Sequence, residues 1–326
     1  MLFRYDRGRV RAGPFSLKEW DFYQILSGGH VVQLSIGHVS YAASFSATVF
    51  SLATGERWSL ARIRPLPLRS LAMPASPDAP CRLGVELEGF MMRFDYSGGR
   101  RHLILRAADR RLGRAEIEVE LEDREEDRMA IATPFDRPRL FYLNEKRHFY
   151  GVAGRLRLGD LRLGDLSPRD RARRDLSLDF SPGDCAVLDW GRGVWPYRHE
   201  WFWGNGAAFV EGGRLGFNLG WGFGKAGAAT ENMLFWNGRA RKLGPLAVER
   251  DEGDYLAPWR FRDATGCLDL EMRPLFDNFT RSDLVVASTR CHQVFGRFSG
   301  TVALPDGRPL ALRDFLAFCE RAVNRW

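Results

Sequence analysis

The stretch Ala115-Glu116-Ile117-Glu118-Val119-Glu120-Leu121-Glu122 alternates apolar and acidic residues without a break. A period of two is the repeat of an extended strand, whose successive side chains leave the backbone on opposite faces. Ile117, Val119 and Leu121 therefore share one face and the four glutamates the other, as in a sheet or barrel wall with one wet side.

The same periodicity recurs on both sides of that stretch. Upstream it marks strands near residues 20–24, 31–36, 41–50, 82–87 and 102–106. Downstream it marks 140–146, 149–156, 185–189, 197–203, 214–219, 232–236, 246–250, 268–272, 285–289 and 293–304. Pro305-Asp306-Gly307-Arg308 then reads as a hairpin turn into residues 310–319. Amphipathic helices of ordinary length are missing, and the best candidate, residues 313–323, reads equally well as a last strand. Many short strands and few helices predict an all-β chain, and 326 residues exceed what one core usually organises. The expected architecture is two tandem lipocalin-like antiparallel β-barrel or curved-sheet domains, residues 1–165 and 166–326. The junction is expected near 157–178, where Leu-Arg-Leu-Gly-Asp-Leu repeats in tandem and runs into the Arg-rich stretch 168–174.

Composition narrows the function. The formal charge of +7 invites a nucleic-acid partner, but only four of the 48 basic residues are Lys (Lys18, Lys146, Lys225, Lys242). An Arg excess beside abundant Ala, Gly and Leu is the mark of a GC-rich coding sequence, and no basic helix, zinc finger or RNA-binding aromatic signature accompanies it. The N-terminal Met1-Leu2-Phe3-Arg4-Tyr5-Asp6-Arg7 lacks a signal-type apolar core, and no later run reaches membrane-spanning length. Five scattered cysteines without a C-x-x-C pair fit reduced thiols rather than a disulfide framework or a zinc site. Together these predict a cytoplasmic protein with no nucleic-acid partner, no metal and no cofactor. Aromatic residues make up 13% of the chain, ten of them Trp, which suits strands and an apolar ligand wall.

One ordered series of motifs is specific. Leu188-Asp189-Trp190-Gly191-Arg192-Gly193 leads into Trp195-Pro196-Tyr197 and Glu200-Trp201-Phe202-Trp203-Gly204. Gly216-Phe217-Asn218-Leu219-Gly220-Trp221-Gly222, Thr230-Glu231-Asn232, the run from Gln293 to Gly300, and Glu320 with Arg325-Trp326 follow. With Trp20-Asp21-Phe22-Tyr23 and Asn144-Glu145-Lys146 upstream, the series resembles the family catalogued as domain of unknown function 2804. Ala317 stands where that resemblance leads one to expect Gly. The arrangement is also distantly similar, at the level of fold, to the two-barrel group of carotenoid hydratases and tocopherol cyclases. That resemblance implies an apolar substrate pocket and acid-assisted chemistry on alkenes; fold alone does not assign function.

Three clusters are candidate site residues. In Arg198-His199-Glu200-Trp201-Phe202-Trp203-Gly204-Asn205, alternation puts His199, Trp201 and Trp203 on one face and Glu200 and Phe202 on the other. A His beside indoles can move a proton while the rings face a developing cation; the bland alternative is a core Trp pair with a structural His. Tyr142, Asn144, Lys146, His148 and Tyr150 share the parity of a second strand, which alternation alone assigns to a solvent-facing side. Lys146 suggests a compact charge that Arg does not supply. Glu231-Asn232 enters an apolar strand, where a carboxylate needs a partner such as Lys146, Arg192, Arg198 or a substrate. The expected catalytic residues are His199, Glu231 and Lys146. Trp201, Trp203, Glu200, Asn205, Tyr142, Asn232 and Trp236 are expected to bind substrate. Gly222-Phe223-Gly224-Lys225-Ala226-Gly227 matches a dinucleotide fingerprint literally, but without a βαβ setting it reads as a turn. Two functions remain open: a cofactor-free hydratase, cyclase or isomerase acting on a hydrophobic small molecule, and a non-catalytic lipid or isoprenoid carrier.

Overall fold

Strand follows strand along almost the whole chain in the computed structural model, which describes residues 5–13, 15–67, 70–109, 112–159, 175–225, 230–283 and 287–325. The first eight strands are β1 (Leu17–Ser27), β2 (His30–His38), β3 (Ala42–Ser51), β4 (Arg57–Pro65), β5 (Cys81–Leu87), β6 (Phe90–Ser97), β7 (Arg100–Asp109) and β8 (Gly113–Glu122). Then come β9 (Met129–Pro134), β10 (Phe141–His148), β11 (Gly151–Gly159), β12 (Leu176–Phe180) and β13 (Cys185–Val194). The long β14 (Arg198–Val210) and β15 (Gly213–Trp221) are followed by the short β16 (Met233–Trp236), β17 (Arg239–Lys242), β18 (Leu246–Glu249) and β19 (Trp259–Asp263). The chain ends with β20 (Leu268–Asp277), β21 (Thr280–Asp283), β22 (Ser288–Ala303) and β23 (Pro309–Arg325). The all-β expectation holds, and residues 313–323 are strand. No helix among the described residues is long and apolar enough to cross a membrane.

Two compact units share these strands, and they interleave in sequence. One comprises Met1–Arg124 with Phe149–Trp190, the other Glu125–His148 with Gly191–Trp326. In the first unit β4-β3-β2-β1 form successive hairpins, and β12-β11-β8-β7-β6-β5 form a six-stranded sheet. The decisive stretch is β8, whose Ile117, Val119 and Leu121 are fully buried. Three of its four glutamates face arginines across the ladder, Glu116 opposite Arg106 and Arg157, Glu118 opposite Arg155, and Glu122 opposite Arg100. Opposite charges paired across strands stabilise the wet face. The expected junction at 157–178 falls at its two ends on β11 and β12, which pair with each other; its middle, 160–174, lies outside the described residues.

The second unit is a curled sheet in the order β17-β16-β15-β14-β23-β22-β20-β19-β18, with β21 on β22, and it includes the β9–β10 hairpin. One face of this sheet is an apolar core containing Phe217, Leu219, Leu234, Trp259, Phe261, Met272, Phe298 and Phe315. Burying each such side chain contributes about 1.5–3 kcal/mol. The register of the long β22–β23 hairpin shifts between Phe298 and Gly300, and Gly300 has φ 140, a conformation that favours glycine.

Candidate functional site

Alternation along β14 sends Glu200, Phe202 and Gly204 towards the core side and His199, Trp201, Trp203 and Asn205 to the opposite face. Register extends that second face across three strands. Trp203 stands beside Gly220 on β15 and Glu320 on β23, Asn205 beside Asn218 and Phe318, and Glu320 beside Gln293 on β22. Where the core face is apolar, this one carries a connected set of polar and aromatic groups.

Its centre is the carboxylate of Glu320, which is buried. It accepts from Trp201 Nε1 at 2.8 Å, from Gln293 Nε2 at 3.3 Å and from the Cys291 thiol at 3.8 Å. Gln293 is itself oriented by Asn278 Nδ2, which donates to its Oε1 at 3.3 Å. Burial, and then the adjacent Glu320, pushes the Cys291 thiol well above its ordinary value, so it remains an S–H donor. Trp201 is half-buried and stacks on His199, ring centroids 5.5 Å apart and 15° from parallel. His199 Nδ1 lies 2.8 Å from the Pro196 carbonyl, which places the lone pair of the neutral ring on Nε2. Buried Trp195 packs against both, at 4.8 Å from His199 and 5.4 Å from Trp201, with Tyr142 on it at 4.7 Å. The rim is thus aromatic and half-open, with a carboxylate behind it.

The even positions of β10 cover the next rows of this face. Lys146 Nζ lies 4.3 Å from the centre of the Trp203 ring. His148 Nε2 is 3.1 Å from Asn205 Nδ2, and its ring packs on Phe235 at 4.5 Å. Tyr142, Asn144, Lys146 and His148 are all buried, so the solvent-facing side that alternation suggested for them is incorrect. Period two separates two faces of a strand but does not say which is covered, and here the second unit's sheet supplies the cover. Tyr150 is not part of the row: β10 ends at His148, Phe149 has a φ of 61, and Tyr150 belongs to the first unit beside Arg101. Burial pulls His148 down to about 3; a hydrogen bond with the Phe217 backbone opposes this and Lys146 adds to it. The imidazole is therefore neutral, with Nε2 accepting from Asn205.

On the other side of Trp203, its Nε1 donates to Asn218 Oδ1 at 2.7 Å. Asn218 Nδ2 donates to the Glu231 carbonyl at 2.8 Å and lies 3.4 Å from the Glu231 carboxylate. Glu231 lies over Gly220, where an added Cβ would come within 2.3 Å of its side chain. Asn232 braces the backbone, its Oδ1 accepting from Gly220 N at 2.7 Å and its Nδ2 donating to the Gly244 carbonyl at 2.8 Å.

Of the residues singled out from the sequence, His199, Trp201, Trp203, Asn205, Tyr142, Lys146 and Glu231 come to this face. Glu200 lies on the opposite side in an ion pair with Arg321 at 3.0 Å, and Trp236 packs against the apolar core. Sequence reasoning leaves Trp195, Asn218, Gln293 and Glu320 without a role. The signal for one of them is parity: Asn218, between Phe217 and Leu219, is a polar residue inside a largely apolar strand.

Among solved structures the chain is similar to kievitone hydratase from Nectria haematococca, with a TM-score of 0.54 and 10% identity over 99% of this chain and 93% of that one. At that identity the likeness shows a shared fold. No curated protein matches. A family model described as Domain of unknown function matches residues 1–326, and the chain therefore belongs to that family, DUF2804.

Proposed function

We propose that the protein binds an apolar, ring-bearing or isoprenoid-like small molecule on the Trp201–Trp203 face of its second unit and performs acid–base chemistry on it, in the manner of a hydratase or isomerase. The observation that carries this reading is the buried Glu320 carboxylate held behind the half-exposed Trp201 and His199 rings. Burying Lys146, His148, Glu231 and Glu320 at one face of the curled sheet costs stability, and the apolar face of that sheet already supplies a core. Such groups gathered beside aromatic rings are a functional-site pattern. The fold shared with a hydratase agrees with it.

In a hydration, protonated His199 gives a proton to one alkene carbon while the facing indoles stabilise the cation at the other. Water adds to that cation and loses a proton to Glu320, so one water is gained and the acid and base are reset through solvent. Lys146 and Glu231, on either side of Trp203, set the charge balance around the reacting group. The test is a panel of alkenes incubated with purified protein in isotope-labelled water, read by mass spectrometry alongside equilibrium dialysis. We expect labelled oxygen in the product, and His199→Ala and Glu320→Gln to retain binding while losing turnover, with Glu231→Gln retaining binding and slowing turnover. Saturable binding without turnover by the wild type would make the protein a carrier, and no binding of any apolar compound would refute the proposal.

A further inference from the structure

Resting on the reading above, we infer that the ligand carries a neutral oxygen function, a hydroxyl, and that the side-chain amide of Asn144 anchors it. Asn144 sits in the middle of β10 at 0% exposure, and neither its Nδ2 nor its Oδ1 has a hydrogen-bond partner among the described residues. A primary amide brings two donors and an acceptor, and leaving all of them unmet in a dry interior opposes folding. Leucine would fill a similar volume without that cost, so the fold has no need of an amide here.

The packing shows what the amide faces. His148 meets Asn205, and Lys146 meets Trp203, so β10 and β14 advance in step. Carried one step further back, the same spacing brings Asn144 level with Trp201, the indole bonded to Glu320, in keeping with Tyr142 at the following step resting on Trp195, which packs against Trp201. On that spacing the amide stands behind the half-exposed rim, so a ligand that displaces the Trp201 indole from Glu320 would meet Asn144 as well. A second unmet group lies deeper on the same face. Asn205 donates through Nδ2 to neutral His148, which leaves its Oδ1 as an acceptor with no partner among the described residues.

Charge selects the head group. A carboxylate would offer Asn144 only acceptors, leaving Oδ1 unmet, and would be desolvated on a face that already buries two carboxylates, Glu320 and Glu231, against the Lys146 ammonium, so it is disfavoured. A hydroxyl matches the amide, accepting from Nδ2 and donating to Oδ1. A site built to hydrogen-bond an OH strongly rejects the analogue that lacks it.

Three probes with one ring system test this by equilibrium dialysis: 1-(2-naphthyl)ethanol, 2-ethylnaphthalene and 2-naphthoate. We expect the wild type to hold the alcohol about tenfold or more tighter than the ethyl compound, with the naphthoate weakest. Asn144→Leu should bind the alcohol and the ethyl compound alike, with a Tm no lower than that of the wild type. In wild-type protein the Asn144 side-chain amide resonances should shift with the alcohol and not with the ethyl compound, a readout that does not depend on the variant folding. If the wild type holds the alcohol and the ethyl compound equally, or Asn144→Leu keeps the preference, the anchor is refuted while apolar binding stands. If neither compound binds the wild type, the functional proposal itself fails and this inference with it.

Discussion

Replacing His148 by Phe tests whether the polar face is as dry as its geometry implies. The imidazole is buried between Asn205 and Phe235, and burial pulls it from the ordinary 6.5 to about 3. The unfolded chain takes up a proton near 6.5 that the folded chain refuses until about 3. Stability from this group is therefore fully present above 6.5 and is lost as pH falls towards 3. At about 1.4 kcal/mol per unit, the whole window amounts to about 5 kcal/mol, and the step from about pH 7 to about pH 5 to about 2 kcal/mol. Urea unfolding of wild type and His148→Phe at those two pH values isolates the contribution, because the other five histidines are common to both. The variant loses baseline stability, since Asn205 loses its acceptor, but its loss between the two pH values should be about 2 kcal/mol smaller than that of the wild type. Lys146→Met should keep most of the wild-type pH dependence, because burial outweighs the Lys146 charge. An unchanged pH dependence in His148→Phe would refute the reasoning.

Two further substitutions probe the two faces of the sheet. Phe217→Ala, in the core against Phe298 and Phe315 at 5.3 and 5.4 Å, should cost about 3–5 kcal/mol in urea unfolding; a loss below about 1 kcal/mol would mean the apolar face is not the core. Gly220→Ala should displace the Glu231 side chain, which an added Cβ would meet at 2.3 Å, and abolish turnover with a smaller stability loss than Phe217→Ala; unaltered turnover would remove Glu231 from the site.

Much of the fold is legible because it is written in parity. β8 reads as a strand from its glutamates alone, and the parity of β14 places His199, Trp201 and Trp203 together, as the structure does. Parity fails where a second layer decides. Nothing local in Tyr142-Leu143-Asn144-Glu145-Lys146 says that its even side is covered, while Glu145 on the odd side pairs with Arg128 and Arg147. It fails too where a single residue breaks the strand, as Phe149 does before Tyr150. The strands β4, β6, β9, β12, β17, β19 and β21 have no counterpart in the periodicity reading, although β6 and β19 alternate. Glu320 stands out in the sequence only as part of a terminal motif, since its meeting with Trp201 needs strands 119 positions apart to pair in register. Proximity in sequence groups Glu200 and Trp236 with the site, and the pleat separates them from it.

The central claim is that the ligand sits on the polar, aromatic face of the curled sheet and not in its apolar core. Fluorine NMR of protein labelled with 5-fluorotryptophan, assigned through single Trp→Phe variants and titrated with 1-(2-naphthyl)ethanol, tests it most directly. Trp195, Trp201 and Trp203 report on the proposed face, whereas Trp221, Trp236 and Trp259 report on the core. The account predicts saturable shifts for the first three and none for the last three. Shifts confined to Trp221, Trp236 and Trp259 would place the ligand in the core and contradict it.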